Sequence, residues 1–104
     1  MTTSCVVARK TPDGYEAFHR FWDGYPEKPG GMGWEIKKEY SKPREVDRLF
    51  FREEPYNHSK PRDISNKGLL MDYAQMSGSQ YLYLYENGKW KYWDLYQPNG
   101  WKEL

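Results

Sequence analysis

The sequence predicts an α+β domain: an antiparallel sheet built from N- and C-terminal hairpins, with two to three helices on one face. Three observations lead there. Near the start, a turn signal, Thr11-Pro12-Asp13-Gly14, separates two strand-like runs. Near the end, Asn87-Gly88 separates QYLYLYE from KWKYWDLY. Between them, apolar residues recur at spacings of three and four rather than two. Strands at both ends of a helical middle are an α+β pattern.

The 104 residues suit a single domain, 1–104. Leu, Ile, Val and Phe number only 16, a share low enough to suggest disorder. The near-neutral net charge of +1 and the 18% of aromatic residues oppose that reading. Large rings then form much of the core, since each removes a large apolar area from water. Balanced charge argues against a polyanion mimic and against a strongly basic nucleic-acid binder. With Cys5 as the single cysteine, an internal disulfide and a cysteine metal cluster are excluded. No apolar run has the length of a membrane span or of a signal peptide, so a cytoplasmic location is expected in whatever cell makes the chain.

In chain order, Ser4 to Arg9 reads as a first strand and Tyr15 to Trp22 as a second. A three-residue loop, Pro12 to Gly14, would put Lys10 opposite Glu16. Phe21 and Trp22 would alternate across the sheet, one entering the core and the other covering its rim. Asp23-Gly24-Tyr25-Pro26 then reverses the chain. A first helix begins around Gly31 to Trp34, with Ile36 and Tyr40 on one stripe. Ser41 or Lys42 caps a second helix with Pro43 in its first turn. Its buried face holds Val46, Leu49 and Phe50; Arg44, Asp47, Arg48 and Glu54 cover the other. Glu53 to Pro61 reads as loop. Asp63 or Ser65 caps a third helix running through Met76, with Leu69, Leu70, Tyr73 and Met76 as its apolar stripe.

The last hairpin is the most explicit segment. Asn87-Gly88 fixes a two-residue primed turn, and the turn fixes the register. Tyr85 then faces Trp90, Tyr83 faces Tyr92, and Tyr81 faces Asp94. On the other side Leu84 meets Lys91, Leu82 meets Trp93, and Gln80 meets Leu95. The leucine side is expected to be the core side. The tail folds Trp101 back onto the sheet.

Candidate functional residues are of binding rather than catalytic type. The ladder Tyr81, Tyr83, Tyr85, Trp90 and Tyr92, with Trp101, suits a protein-binding face, because rigid rings bury much area at little entropic cost. The same rings suit base stacking, or simple stabilisation of a small sheet. Arg44, Arg48 and Arg52 recur every fourth residue and would line one ridge facing an acidic partner or a phosphate. Arg20, Asp23, Gly30, Gly31 and Gly33 surround a glycine-rich loop before a helix start, where exposed N–H groups could hold an anion. The spacing matches no phosphate or dinucleotide fingerprint. His19 and His58 lack metal-ligand spacing, and no nucleophile signature surrounds Cys5. No catalytic residue, metal or cofactor is expected.

The order of strand, turn, "HRFWDGYP", glycine-rich loop, helices and "YLYLYENGKWKYWDL" resembles a loose family of small proteins from phages, prophages and actinobacteria. The matching positions are Arg20, Asp23, Gly24, Tyr25 and Pro26, then Tyr81, Tyr83 and Tyr85. Both ends of the chain match; Tyr40 to Lys67 does not. The resemblance implies an accessory protein of a mobile element, a class rich in inhibitors of host defence, including anti-CRISPR proteins. The expectation is a non-enzymatic protein that binds a host protein or ribonucleoprotein complex and occludes it, with no membrane association. The alternative is a nucleic-acid or nucleotide binder using the rings as a stacking platform.

Overall fold

Cys5, Val6, Val7 and Ala8 are consecutive, and all four are fully buried. Since successive strand residues point to opposite faces, such a run marks a strand with a packed layer on both sides. The computed structural model describes residues 3–27, 29–51, 59–97 and 100–104, and this strand, β1 (Cys5–Thr11), lies near the middle of its sheet. β2 (Gly14–Arg20) pairs with it antiparallel. The loop between them is two residues, not three. Lys10 therefore faces Tyr15, and Glu16 faces Arg9. Gly14 belongs to the strand and packs so closely on β3 (Arg62–Ile64) that a Cβ there would meet the Ile64 carbonyl oxygen at 2.4 Å.

The C-terminal hairpin, β4 (Tyr81–Glu86) and β5 (Lys89–Asp94), has the register the Asn-Gly turn dictates. Asn87 and Gly88 both hold positive φ, at 57° and 77°, as a type I′ turn requires. β6 (Lys102–Glu103) pairs with the outer edge of β5. The strand order is β3-β2-β1-β4-β5-β6, antiparallel except where β1 runs parallel to β4. That parallel contact joins the two hairpins into one sheet.

The helices divide between the two faces instead of sharing one. α1 (Met32–Glu39) and α2 (Pro43–Phe50) pack through Met32, Ile36, Val46, Leu49 and Phe50 onto Cys5, Val7, Phe18 and Tyr83. α3 (Lys67–Met76) packs through Leu70 and Ala74 onto Val6, Ala8, Ala17, Leu82 and Leu84. The topology explains the split. β3 and β4 run in the same direction with β2 and β1 between them. A connection between two parallel strands must cross over a face, and α3 is that crossover. α1 and α2 fill the other face within the long link from β2 to β3.

Local signals set the helix starts. Lys42 is the N-cap of α2, Pro43 is its first residue, and Glu45 accepts a bond from the Lys42 backbone N–H at 3.0 Å. Asn66, rather than Asp63 or Ser65, caps α3, its side chain accepting from the Leu69 N–H at 2.9 Å. Ile64 is consequently a strand residue, and β3 replaces what reads as the approach to a helix. Leu69 and Met76 fall outside the buried stripe of α3; Met76 is 88% exposed.

Candidate functional site

The Asp23-Gly24-Tyr25-Pro26 turn is knotted into the core. Asp23 takes a left-handed φ of 59°, a conformation Asp tolerates better than most residues. The turn's carbonyls then cap α1: Asp23 accepts from Met32 N–H at 2.7 Å and Tyr25 from Gly33 N–H at 2.9 Å. These are the donors an anion would have used. A Cβ on Gly33 would meet Pro26 backbone atoms at 2.4–2.8 Å, so the glycine is there to let the turn close on the helix. Gly30 is exposed with φ +87°, and Gly31 is the N-cap of α1.

Arg20 is likewise consumed. It is 5% exposed. Its Nε donates to the Trp22 carbonyl at 3.0 Å, and its Nη1 to Glu35 Oε2 and Met32 Sδ at 2.9 Å. A buried guanidinium needs such a carboxylate partner. The loop is thus a structural clasp between β2 and α1, and its anion-binding reading loses its cation and the N–H donors of Met32 and Gly33. Neither Phe21 nor Trp22 enters the core: β2 ends at Arg20, and Phe21 is 38% exposed.

The aromatic ladder lies beneath α1 and α2 and is a packing layer. Tyr83 is fully buried, and its hydroxyl donates to the Gly24 carbonyl at 2.6 Å. Burial drives that phenol well above its ordinary range. Trp90 is 8% exposed and its Nε1 donates to the Tyr40 carbonyl at 2.6 Å. Tyr81, Tyr85 and Tyr92 are half-buried against the same core. Ring centroids stand 5.2 Å apart for Tyr85–Trp90 and 6.0 Å for Tyr83–Tyr92. Trp101 sits on the opposite face, edge-on to Trp93 at 5.4 Å, with the Lys67 and Lys91 ammonium groups over its ring. The ladder and Trp101 therefore do not form one docking face.

Arg44 and Arg48 are exposed on the outer side of α2, opposite Val46, Leu49 and Phe50; Arg52, Glu54 and His58 lie outside the described residues. The arginine that holds α2 in place was not among those singled out. Arg9 pairs with Glu16 at 2.8 Å and with Asp47, and its guanidinium sits 4.8 Å from the Phe50 ring. Cys5 is fully buried, and burial pushes its thiol up to about 12, against the opposing pull of Arg20. His19 is half-buried beside Phe21, its ring lowered in pKa by burial. Among the described residues no cluster of His, Cys, Asp or Glu could hold a metal ion, and no helix is long and apolar enough to cross a membrane.

The fold also leaves several large apolar side chains outside. Phe51, Met76, Tyr96, Leu69 and Trp34 are exposed by 43–88%. Trp34 lies on a groove of about 560 Å³ between α1, Tyr92 and Leu104. Leu69 and Met76 lie on a second one, beside β3. No protein-family model, curated protein or solved structure matches the chain.

Proposed function

We propose that the chain is a non-enzymatic binding protein, encoded by a phage or prophage, that inhibits a host defence complex by occlusion in the manner of an anti-CRISPR protein. The observation that supports the binding part is the distribution of side chains. Cys5 and Arg20 are buried and Glu35 is paired with Arg20, whereas some large apolar groups, Met76, Phe51 and Leu69 among them, face outward. Contiguous exposed apolar surface marks interaction sites, and Leu69 and Met76 share one groove. The mobile-element part rests on the DGYP turn and the tyrosine hairpin.

The test is a plating assay. A bacterium with an active CRISPR system is challenged by a phage it targets, with and without this protein. Restored plating, together with recovery of the defence complex on the tagged protein after nuclease treatment, is the expected outcome. Unchanged plating in strains carrying each major defence class would sink the reading.

A second reading, nucleic-acid or nucleotide binding, has one observation in its favour. Trp34 is 43% exposed and shares its groove with Lys37 and Lys38, a ring beside cations. It predicts affinity for single-stranded oligonucleotides that falls steeply with salt.

A further inference from the structure

We infer that the groove between α1, the Asp23–Pro26 turn and β5 is a docking site for an arginine side chain of a partner protein. The inference rests on the binding-protein reading above and gives that partner its chemistry.

The argument begins with Trp34. α1 buries Met32, Gly33 and Ile36 and leaves the Trp34 ring 43% exposed. Pro26 and Tyr92 stand with it on a groove of about 560 Å³. The Tyr92 ring is inclined by 59° to that of Tyr81, with centroids 6.3 Å apart, and both are half-buried. The end of the groove nearest the turn is thus walled by aromatic surface that the fold only partly covers.

Charge then selects the occupant. Glu27 lines the groove beside Pro26. Asp94 follows Tyr92 on the same face of β5 and stands opposite Tyr81. Burial raises the Tyr81 and Tyr92 phenols, and the charges of Asp94 and Glu27 raise both further. Among the described residues no cation offsets these charges at either phenol, whereas Arg20 does so at neighbouring Tyr83. Neither carboxylate enters the ion pairs found among the described residues. Asp94 accepts one bond through Oδ1, from the Tyr96 N–H at 3.0 Å. The lysines of the groove, Lys37 and Lys38, lie about one turn further along α1 than Trp34. Lys37 continues into a recess at the hairpin turn, with Gly88, Lys89 and Glu103. Charge is therefore sorted along the groove: the Pro26 end holds only carboxylates, and the lysines gather at the Gly88 end, where Glu103 accompanies them.

A guanidinium suits the Pro26 end. It is planar and weakly hydrated, stacks on aromatic faces, and presents paired N–H donors to carboxylates. A phosphate or an acidic side chain is repelled there, and an apolar side chain leaves both carboxylates unused. An ammonium is a compact, strongly hydrated charge without a plane to stack, so arginine is selected over lysine.

The experiment is a titration of the ¹⁵N-labelled protein with a twelve-residue peptide of Gly and Ser carrying one central Arg. Two control peptides carry citrulline, the uncharged isostere, or Lys in its place. The expected result is movement of the Trp34 indole N–H signal and of the Glu27 and Tyr92 amides with the Arg peptide, none with the citrulline peptide, and weaker binding of the Lys peptide. Glu27→Gln with Asp94→Asn weakens the binding by about tenfold at low salt, and Trp34→Ala weakens it comparably. Glu27 and Trp34 are exposed, and asparagine keeps the oxygen that accepts from Tyr96, so both variants keep the wild-type spectrum elsewhere. No movement at millimolar peptide, equal binding of either control peptide, unchanged affinity after the carboxylates are neutralised, or preferential binding of an oligonucleotide at this groove would each overturn the assignment. The Glu27→Gln, Asp94→Asn variant also enters the plating assay. A variant as active as wild type removes this surface and leaves the inhibitor reading standing; an inactive wild type removes the inhibitor reading, whatever the peptide does.

Discussion

Tyr83 shows how one side chain serves two parts of the fold. It stands on a central strand beneath α1, yet its hydroxyl reaches the carbonyl of Gly24 in the loop leading to that helix. Removing the hydroxyl leaves a buried carbonyl without a partner, which costs about 1–3 kcal/mol. Tyr83→Phe is therefore expected to lower the stability of the chain by that amount in urea unfolding, with little change in the spectrum of the folded state. An unchanged midpoint would mean that this bond contributes nothing net. Before the fold is known, Tyr83 reads as one rung of an exposed ladder. The alternation was legible, but which face would be covered was not, because the covering helices are remote in sequence.

Among the elements, the C-terminal hairpin and α3 make an instructive contrast. The hairpin is specified locally: Asn87-Gly88 admits one turn type, and the turn sets every pair from Glu86–Lys89 to Tyr81–Asp94. In α3 the start is local but the buried face is not. Asn66 caps the helix by accepting from Leu69 N–H, so Asn66→Ala should cost about 1 kcal/mol and shift the thermal midpoint downward. A thermal midpoint that does not move would show that the cap is solvated at no loss. The face of α3 depends on crossing from β3 to β4 over the sheet, which brings Leu70 and Ala74 underneath and leaves Leu69 and Met76 outside. A stripe of four apolar residues reads as core by periodicity alone, and the small Ala74 at i+4 from Leu70 was the only hint of the true stripe.

At the scale of the whole molecule, two of the described groups contribute to the acid response. Burial lowers the His19 pKa below its ordinary 6.5. As pH falls, the unfolded chain takes up that proton first. Stability therefore declines once pH drops through 6.5, and goes on declining until the folded imidazole also protonates. Glu86 is held low chiefly by its hydrogen bond from Lys91, helped by Lys67. Its contribution is full above its ordinary 4.5 and is lost as pH falls through the lower folded value. The urea midpoint should thus fall between pH 7 and 5.5 in the wild type, and this slope should flatten in His19→Gln. A slope that persists in His19→Gln would assign the effect to other groups.

By itself the sequence determined what local chemistry controls: the two hairpins, the C-terminal register, the Pro43 helix start and the α+β class. Each follows from a turn type, a cap or an alternation acting within a few residues. Tertiary structure decided what depends on distant partners. The parallel β1–β4 contact set the strand order, and the crossover of α3 put helices on both faces. The layer formed by α1 and α2 covered the tyrosine ladder and made it a packing face. Arg20 was neutralised by Glu35, 15 residues away in sequence, and the first two N–H donors of α1 were claimed by the turn before it. Burial belongs to pairs of surfaces, and a strand carries no record of what will cover it; this is why the elements were legible and the site was not.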